Sequence, residues 1–410
     1  MNKNKFIGKK RNLTDNSNKD NISNNENINN NINEDSINST QNSNQEYIES
    51  PNRIKDNILY KEGMVLKEHN HWINKIIIFK KQSKHNLISC SADGKIIIYD
   101  NYPSFKPLLT LTLFGTGVTF LNELKNGSII ACSFGAFKQI ILNYNNLKNE
   151  YSYEIINYYA ICSTYISKFI ELNNENLLFI SQQNNIIILE KIQNDKSGKL
   201  EGNKINDKFI IKSPIKLLRY EICINILQLK DDLYISGSIT DTKYNILVKG
   251  SKKVNVNSIN FYDEKFNTVY KFNNIYLTKS QENIVKIDNK YVIVGIEMCL
   301  NKVNWNNNYG IALINYNSFQ INSFYEFDNQ ISSISLYGKF LYIGDNKGYI
   351  QKYEIINKEF ILLKNKRIHF YNINSICCDS VYDKEINQNI FILFTGSNDN
   401  TIKITSYFNN

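Results

Sequence analysis

From about Ile58 onward, the chain is built from short runs of Ile, Leu, Val, Phe and Tyr that are separated by Asn, Asp, Gly and Lys. The runs are either continuous or alternate with polar residues, and few of them keep a helical period over about ten residues. This pattern predicts a body that is nearly all β-structure.

Strand pairs recur along this body, and each pair ends in an aromatic or aliphatic residue and then a polar one. The predicted ends are Tyr99-Asp100, Tyr144-Asn145, Leu189-Glu190, Tyr262-Asp263, Tyr316-Asn317, Tyr353-Glu354 and the region Thr405–Tyr407. A further apolar strand follows most of them, over Phe105–Leu113, Tyr151–Ile156, Phe266–Phe272, Phe319–Phe327 and Phe360–Leu363. Most spacings fall near the roughly 40–45 residues of one propeller blade. The pattern therefore predicts seven four-stranded units in a β-propeller.

Two of these units are the best marked, because they share a strand, a tight polar turn and a second strand. The first copy covers Ser89–Asp100, and the second covers Thr395–Ile404. In each unit a His stands four residues before an Ile, as His69 before Ile73 and His369 before Ile373. A repeated unit of this kind indicates an array of similar structural repeats.

The two ends of the body predict how the array closes. The last unit stops after its third strand, at about Tyr407, whereas the apolar segment Ile58–Leu66 precedes the first unit without a partner. We expect Ile58–Leu66 to supply the fourth strand of the last unit. Such closure removes exposed sheet edges, which would otherwise favour aggregation.

Composition divides the 410 residues into two parts. Residues 1–52 are rich in Asn with Ser, Asp and Glu, so they are predicted to be a disordered tail. Residues 53–410 form the predicted propeller. The net charge of +9 comes mainly from scattered Lys in an Asn-, Ile- and Lys-rich composition that is typical of an AT-rich genome.

Cysteine usage indicates a reducing compartment. The seven Cys include no CxxC pair, and Cys90 and Cys132 take a small-residue position that Gly344 and Gly396 occupy in other units. The sequence also lacks an apolar run long enough to span a membrane. We therefore expect a cytoplasmic protein, while the basic stretch Lys3–Arg11 leaves a nuclear location open.

These motifs resemble those of the WD-repeat β-propeller family, in which a His, a Ser or Thr, an Asp and a Trp form a hydrogen-bonded set in each blade. The resemblance covers about residues 58–408. It implies that the first and last units contain such sets, with substitutions at the Trp position. The matching residues are His69, Ser89, Asp93 and Tyr99 in the first unit, and His369, Thr395, Asp399 and Thr405 in the last.

No catalytic signature accompanies this pattern. The chain has no GxSxG, Walker, HExxH or kinase motif, and two of its four His are assigned to the blade sets. The remaining two, His71 and His85, are expected to be solvated. We therefore predict a protein that is not an enzyme and that has no metal or cofactor.

The candidate binding surface lies on long loops that the family resemblance assigns to one face. One loop covers Ser236–Asn257 and the other covers Glu297–Asn308, while Trp72 and Tyr371 follow the two blade-opening His residues. Aromatic anchors beside basic residues suit an acidic peptide or protein surface. The predicted contact residues are Tyr244, Lys249, Lys252, Lys253, Met298, Trp305, Tyr309, Trp72 and Tyr371.

Two other interpretations of the loops stay open. Both loops fit insertions that are tolerated at little cost in stability. The first also fits an additional hairpin, with strands over Tyr244–Val248 and Lys253–Val256.

The leading functional hypothesis is an intracellular scaffold that binds protein partners, as a subunit of a larger complex. One alternative is an RNA- or ribosome-associated propeller, which the positive net charge and exposed aromatic residues suggest. Another is a propeller that binds phosphoinositides at a membrane surface. The paired-Arg motif of such propellers is absent, since Arg219 and Arg367 are isolated.

Overall fold

The structure is a computed structural model that describes residues 63–80, 85–145, 147–148, 150–181, 185–191, 209–211, 215–216, 221–240, 258–273, 275–277, 282–299, 307–383 and 387–408. Within these ranges the protein is all β, as predicted, and it contains no helix that could cross a lipid bilayer. The predicted tail, residues 1–52, lies outside the described residues.

The described residues form β-strands that are numbered here in chain order. The first twelve are β1 (Met64–Leu66), β2 (Ile73–Phe79), β3 (Asn86–Ser91), β4 (Lys95–Tyr99), β5 (Pro107–Thr112), β6 (Phe120–Glu123), β7 (Ile129–Cys132), β8 (Phe134–Asn145), β9 (Glu150–Glu171), β10 (Leu177–Ser181), β11 (Asn185–Lys191) and β12 (Phe209–Ile211). The next ten are β13 (Ile215–Lys216), β14 (Glu221–Lys230), β15 (Leu233–Thr240), β16 (Ser258–Tyr262), β17 (Thr268–Asn273), β18 (Ile275–Leu277), β19 (Ile284–Lys286), β20 (Tyr291–Cys299), β21 (Asn307–Asn315) and β22 (Gln320–Phe327). The last seven are β23 (Ile331–Tyr337), β24 (Phe340–Asp345), β25 (Tyr349–Ile356), β26 (Glu359–Arg367), β27 (Ile373–Asp383), β28 (Gln388–Ser397) and β29 (Ile402–Phe408).

These strands form open antiparallel sheets of sequential hairpins, and none of the described sheets closes on itself. Four sheets have four strands each: β2–β5, β14–β17, β23–β26, and β27–β29 together with β1. In a further sheet, β18 and β19 both pair with one edge of β20. The other edge of β20 pairs with β21, and β21 pairs with β22. The remaining sheet runs from β6 to β12 because β9 is long enough to pair with β8 along its first part and with β10 along its second.

The expected pairing of the first and last strands is present. Strand β1 lies antiparallel to β29, with Met64 opposite Ile404 and Leu66 opposite Ile402. Leu66 is buried against the apolar side chains of this sheet and of the β2–β5 sheet. The earlier part of the predicted strand, residues 58–62, lies outside the described residues.

Seven of the described strands contact one another in an order that returns to its starting strand, and two of them, β6 and β9, belong to the same sheet. β2 contacts β6, β6 contacts β9, β9 contacts β14, β14 contacts β19, β19 contacts β23, β23 contacts β27, and β27 contacts β2. Each junction also has a hydrogen bond of 2.6–2.8 Å. The donors and acceptors are Asn74 Nδ2 to Val118 O, Thr119 Oγ1 to Ile166 O, Lys168 Nζ to Asn225 Oδ1, Asn225 Nδ2 to Asn283 Oδ1, Ile334 N to Glu282 O, Ser333 Oγ to Ile373 O, and Asn374 Nδ2 to Ile73 O.

One ion pair joins sheets that are not neighbours in this sequence. Lys75 on β2 contacts Glu282, which lies just before β19 and forms a bridge with Ser333. Both side chains are largely buried, at 15% and 10% exposure. The ion pair therefore links β2 with the start of β19, although these strands belong to sheets that are not adjacent in the order given above.

The core lies between the faces of neighbouring sheets, and it requires small residues where the sheets approach closely. A Cβ on Gly396 would lie 2.6 Å from the Ile73 side chain, and one on Gly344 would lie 2.9 Å from Ile373. Cys90 holds the corresponding position on β3 and is fully buried. The interpretation of this position as a small core position is thus confirmed.

Candidate functional site

The first side-chain network is centred on His69, which precedes β2. Its Nδ1 lies 2.9 Å from Asp93 Oδ2, and its Nε2 lies 2.7 Å from the Ser89 hydroxyl. A carboxylate can only accept, so Nδ1 carries the proton and Nε2 accepts from Ser89. Tyr99 is fully buried beside Ser89, and its hydroxyl lies 3.4 Å from Glu68 Oε2. The residues expected from the resemblance are therefore brought together.

The turn between β3 and β4 determines where the Asp93 carboxylate lies. Gly94 has a φ of +82°, which only a residue without a Cβ adopts easily, and it allows the chain to reverse directly after Asp93. Asp93 Oδ1 accepts from the amide of Lys95 at 2.9 Å, and the Asp93 amide donates to Ser91 Oγ at 3.1 Å. The remaining carboxylate oxygen is thereby directed at His69.

The second network has the same arrangement around His369. Its Nδ1 lies 2.8 Å from Asp399 Oδ2, and its Nε2 lies 2.9 Å from Thr395 Oγ1. Thr401 supplies a further hydroxyl, which donates to Asp399 Oδ1 at 2.5 Å. Thr405, at the fourth position of the repeat, is half-buried.

Burial and hydrogen bonding shift the pKa values of His69, Asp93 and Asp399. Burial lowers the pKa of His69 and favours the neutral ring, in spite of the opposing hydrogen bond to Asp93. Burial alone would raise the pKa of Asp93 and Asp399, but the hydrogen bonds donated to the carboxylates, including those from the His rings, hold both below their ordinary values. In each network both ring nitrogens are hydrogen-bonded, and the His ring and its hydroxyl partner are buried away from solvent.

Each network also fixes the loop that follows its His. The amide of Asn70 donates to Asp93 at 3.0 Å, and the amide of Phe370 donates to Asp399 at 3.3 Å. The turn between β28 and β29, which contains Asp399, also contacts the first loop, because Asn400 Nδ2 donates to the carbonyl of Asn70 at 3.4 Å. Through this turn, the loops after His69 and His369 lie at the same end of two neighbouring sheets.

Three large aromatic side chains project from these loops. Trp72 is 50% exposed, Tyr371 is 63% exposed and Phe370 is 73% exposed. We call these three residues the aromatic patch. Their backbone is well anchored, since the Trp72 carbonyl accepts from Ala92 N at 3.0 Å and the Tyr371 carbonyl accepts from Ser397 Oγ at 3.3 Å. The rings are thus exposed to solvent on a fixed backbone.

Two cationic side chains support the patch. The Arg367 guanidinium donates to the carbonyls of His369 and Phe370, at 3.3 and 3.1 Å. Lys403 donates to the carbonyl of Ile368, and its Nζ lies 5.9 Å from the centre of the Phe370 ring. The surroundings of Phe370 are therefore positively charged.

None of the other predicted contact residues that the structure describes belongs to the aromatic patch. Tyr244, Lys249, Lys252, Lys253 and Trp305 lie outside the described residues, as does the alternative hairpin. Met298 and Tyr309 lie on β20 and β21, where Met298 is opposite Asn308 and Tyr309 is opposite Glu297. The predicted loop is shorter than expected at both ends, because this hairpin extends to Cys299 and resumes at Asn307.

The expectation that His85 is solvated holds only in part, since its side chain is 36% exposed but forms an ion pair. Its Nδ1 lies 2.7 Å from Asp379 Oδ2, and Asp379 is buried on β27. This contact joins residues that are far apart in sequence, so no local pattern indicates it. His71 is exposed, as expected, and its ring contacts that of Trp72 edge-on at 4.9 Å.

Sequence reasoning also missed a polar pair in the β23–β26 sheet. Asn329 Nδ2 donates to Asp345 Oδ2 at 2.8 Å, and Asp345 Oδ1 accepts from the amides of Lys347 and Tyr349 at 2.9 Å. Asp345 lies opposite Ile331, just as Ser91 lies opposite Ile73. This shared strand register is the feature that identifies Asp345 as the counterpart of Ser91. It can be recognised only when the pairing of the strands is known.

Among the described residues, no group of three or more His, Cys, Asp or Glu side chains is placed to hold a metal ion. No family model matches the chain, and no curated protein matches it. Among solved structures, the chain is similar to the crystal structure of the computationally designed Ika8 protein, with 11% identity and a TM-score of 0.47. That similarity covers 83% of this chain and 97% of the designed chain. A likeness at this level assigns neither a family nor a function.

Proposed function

We propose that the chain is a divergent seven-bladed β-propeller of the WD-repeat type, and that it acts as a non-enzymatic scaffold for a protein partner. The cyclic contacts from β2 through β27 and back to β2 support the ring. The Lys75–Glu282 ion pair supports it too, since it links non-neighbouring sheets through the interior. The pairing of β1 with β29 supplies the fourth strand of the last blade.

The aromatic patch carries the functional proposal. Large aromatic side chains supply much of the binding energy at protein interfaces, and three of them are grouped here on loops at one end of two neighbouring sheets. Trp72, Phe370 and Tyr371 stand on loops whose backbone is already ordered, so binding immobilises few additional groups. Arg367 and Lys403 beneath the patch favour a partner with acidic residues around an apolar centre.

An intracellular location belongs to the same proposal. Cys90, Cys132, Cys162, Cys377 and Cys378 are free thiols. Unpaired cysteines of this number are typical of proteins that fold in a reducing compartment. The non-enzymatic assignment is supported by the burial of the Ser89 and Thr395 hydroxyls, at 0% and 1% exposure, because a substrate could not reach the one group of each Asp–His–hydroxyl set that could act as a nucleophile.

The test is affinity purification of the full chain, followed by binding measurements with the purified partner that co-purifies. The variant Trp72→Ala, Phe370→Ala, Tyr371→Ala should weaken binding of that partner at least about tenfold, because truncating aromatic anchors removes binding energy at the centre of an interface. Its melting temperature should stay close to that of the wild type. Tyr153→Ala with Tyr158→Ala, at 45% and 61% exposure on β9, is the matched control.

Equal binding by the patch variant and the control variant would refute the role of the patch. A parallel variant, Trp305→Ala with Lys252→Ala and Lys253→Ala, tests the loops outside the described residues. If only the variant at Trp305, Lys252 and Lys253 lost binding, the partner would bind those loops and not the aromatic patch. Salt-dependent binding of RNA to the wild type, without a protein partner, would favour the nucleic-acid alternative instead.

A further inference from the structure

Two lysines from neighbouring sheets meet at one tyrosine. Tyr291 begins β20, and its side chain is only 5% exposed. Lys358, in the turn between β25 and β26, donates from Nζ to the Tyr291 hydroxyl at 2.9 Å and lies 4.5 Å from the centre of its ring. Lys290, in the turn before β20, has its Nζ 5.5 Å from the centre of the same ring. Two exposed, positively charged side chains therefore converge on one phenol.

The turn that holds Lys358 has a backbone that favours glycine. Ile356 on β25 is opposite Glu359 on β26, so the hairpin loop contains two residues, Asn357 and Lys358. Their φ angles are +51° and +67°. Two-residue hairpin loops with positive φ at both positions favour Asn followed by Gly. Lys358 therefore occupies a position at which a side chain lowers stability.

Lys290 and Lys358 differ from other lysines that lie over aromatic rings. Four of those donate to a carbonyl, amide or carboxylate oxygen, and they are Lys138, Lys230, Lys339 and Lys403. Among the described residues, no carboxylate or carbonyl oxygen accepts from the Nζ of Lys290 or Lys358. The phenol oxygen is thus the acceptor at which both charges are gathered.

The electrostatic environment of the phenol favours negative charge. The hydrogen bond from Lys358 lowers the pKa of Tyr291, and the charges of Lys290 and Lys358 lower it further, although desolvation opposes this effect. At Tyr99, by contrast, burial raises the pKa. Asp288 lies in the same turn as Lys290, but its Oδ1 already accepts from the amides of Lys290 and Tyr291, each at 2.7 Å.

We propose that Lys290, Tyr291 and Lys358 bind a phosphate monoester, and we call these three residues the phosphate site. Two ammonium groups match the charge of close to −2 that such a group carries above pH 7. The Tyr291 hydroxyl still has its hydrogen to donate, because the bond from Lys358 uses only a lone pair. A phosphate monoester has three acceptor oxygens, one for each of these donors, whereas a carboxylate has a single charge and two oxygens.

The phosphate site and the aromatic patch lie at opposite ends of the sheets. The starts of β19, β23, β27 and β2 are hydrogen-bonded side by side, so these sheets point in the same direction. Lys290 and Lys358 stand in turns between first and second and between third and fourth strands. Asp93 and Asp399, beside the patch, stand in turns between second and third strands, which lie at the other end of an antiparallel sheet. The phosphate site therefore does not depend on the patch.

Titration of the full chain with N-acetylphosphoserine amide, followed by phosphorus NMR, tests the proposal. This probe should bind at least about fivefold more tightly than N-acetylglutamate amide, measured as its competitor, because it carries nearly one more charge. Lys290→Gln and Lys358→Gln should each weaken its binding at least about fivefold. The matched control is Lys339→Gln, in another turn at the same end of the β23–β26 sheet, which should change the affinity by less than about twofold because Lys339 is paired with Glu354.

A glycine variant separates binding from folding. Lys358→Gly places the favoured residue in the left-handed turn, so its melting temperature should equal or exceed that of the wild type. Its binding of N-acetylphosphoserine amide should nevertheless fall as far as that of Lys358→Gln. Wild-type binding by Lys358→Gly would overturn the proposal, because the ammonium group would then have no part in the site.

Two further results would overturn the proposal. They are equal binding of the phosphate and carboxylate probes, and equal losses in the variants at Lys290, Lys358 and Lys339, since diffuse attraction to a basic protein would produce both. A phosphoserine decapeptide and glycerol 3-phosphate distinguish the source of the phosphate group, because the tighter ligand identifies either a modified protein segment or a small phosphate ester. Binding should persist in the aromatic-patch variant, so failure of the two proposals can be told apart.

Discussion

The networks around His69 and His369 have the same geometry but differ in their supporting residues. In both, the His ring lies between an Asp carboxylate and a hydroxyl, with distances of 2.7–2.9 Å. The first adds the buried phenol of Tyr99, whereas the second adds the hydroxyl of Thr401 on the carboxylate. The two sheets therefore share the Asp–His–hydroxyl core, whereas its fourth member differs between them.

The backbone register explains why this unit recurs. Ile73 is opposite Ser91, Ile373 is opposite Ser397, and Ile331 is opposite Asp345. The shared register brings the turn between the second and third strands beside the loop that enters the sheet. Even without a His, the β23–β26 sheet uses this proximity to pair Asn329 with Asp345.

The largest effect should come from removing either His. His69→Ala and His369→Ala should each lower the free energy of unfolding by about 2–4 kcal/mol, because a buried carboxylate and a buried hydroxyl lose their partner. Urea titrations followed by tryptophan fluorescence would measure this. His71→Ala, at an exposed position, is the control and should stay within about 0.5 kcal/mol. Equal losses for His71 and His69 would contradict the structural role of the networks.

Acidification should break the two networks in stages. Because the pKa of His69 is lowered from 6.5 in the folded state, its contribution is complete above that pH and is lost as the pH falls below it. The lowered pKa values of Asp93 and Asp399 give a contribution that is lost only below their ordinary value of 3.8. Unfolding curves from pH 8 to pH 4 would measure the first stage, and their extension to about pH 2 would measure the second. A His69→Gln variant that keeps the full upper stage would contradict the assignment to His69.

A smaller loss of stability should distinguish Tyr99 from Thr405, the residues at the fourth position of the two networks. Tyr99→Phe should lower the free energy of unfolding by about 1 kcal/mol, because it removes a buried hydroxyl from a hydrogen-bonded group. Thr405→Val, at a half-buried position, should cost less than about 0.5 kcal/mol. Chemical denaturation of the two variants in parallel makes the comparison. A larger loss for Thr405→Val would show that the second network also has four members.

A loss no larger than that of Tyr99→Phe should occur at the pair that lacks a His. Asn329→Ala should cost about 0.5–1 kcal/mol, since Asp345 keeps the hydrogen bonds from the amides of Lys347 and Tyr349. Asn322→Ala on the exposed edge of β22 serves as the control, and both can be compared by thermal melting. A loss as large as that of His69→Ala would mean that this sheet depends equally on its polar pair.

Much of this arrangement follows from local sequence. The small residues between sheets were predictable from a repeated position, and the pairing of β1 with β29 from an apolar strand without a partner. The His–Asp–hydroxyl sets were predictable from the resemblance to WD-repeat propellers, which assigned a role to the repeated residues. The contact of His85 with Asp379 was not, since it depends on how two distant strands pack. The family resemblance placed Trp72 and Tyr371 on one face, but Phe370 was not among the predicted contact residues. Its exposure depends on how the loop after His369 is held by Asp399 and Arg367.

The pairing of β1 with β29 has a consequence for the order of folding. Nearly the whole described chain separates these two strands, so the hairpins between them are able to form from local contacts while this sheet still lacks its outer strand. Contacts between such distant segments form slowly, because a long loop must close before the contacts contribute stability. We therefore expect β1 to dock late, and expect the outer edge of β29 to be a vulnerable site for chaperone binding or misassembly until it does.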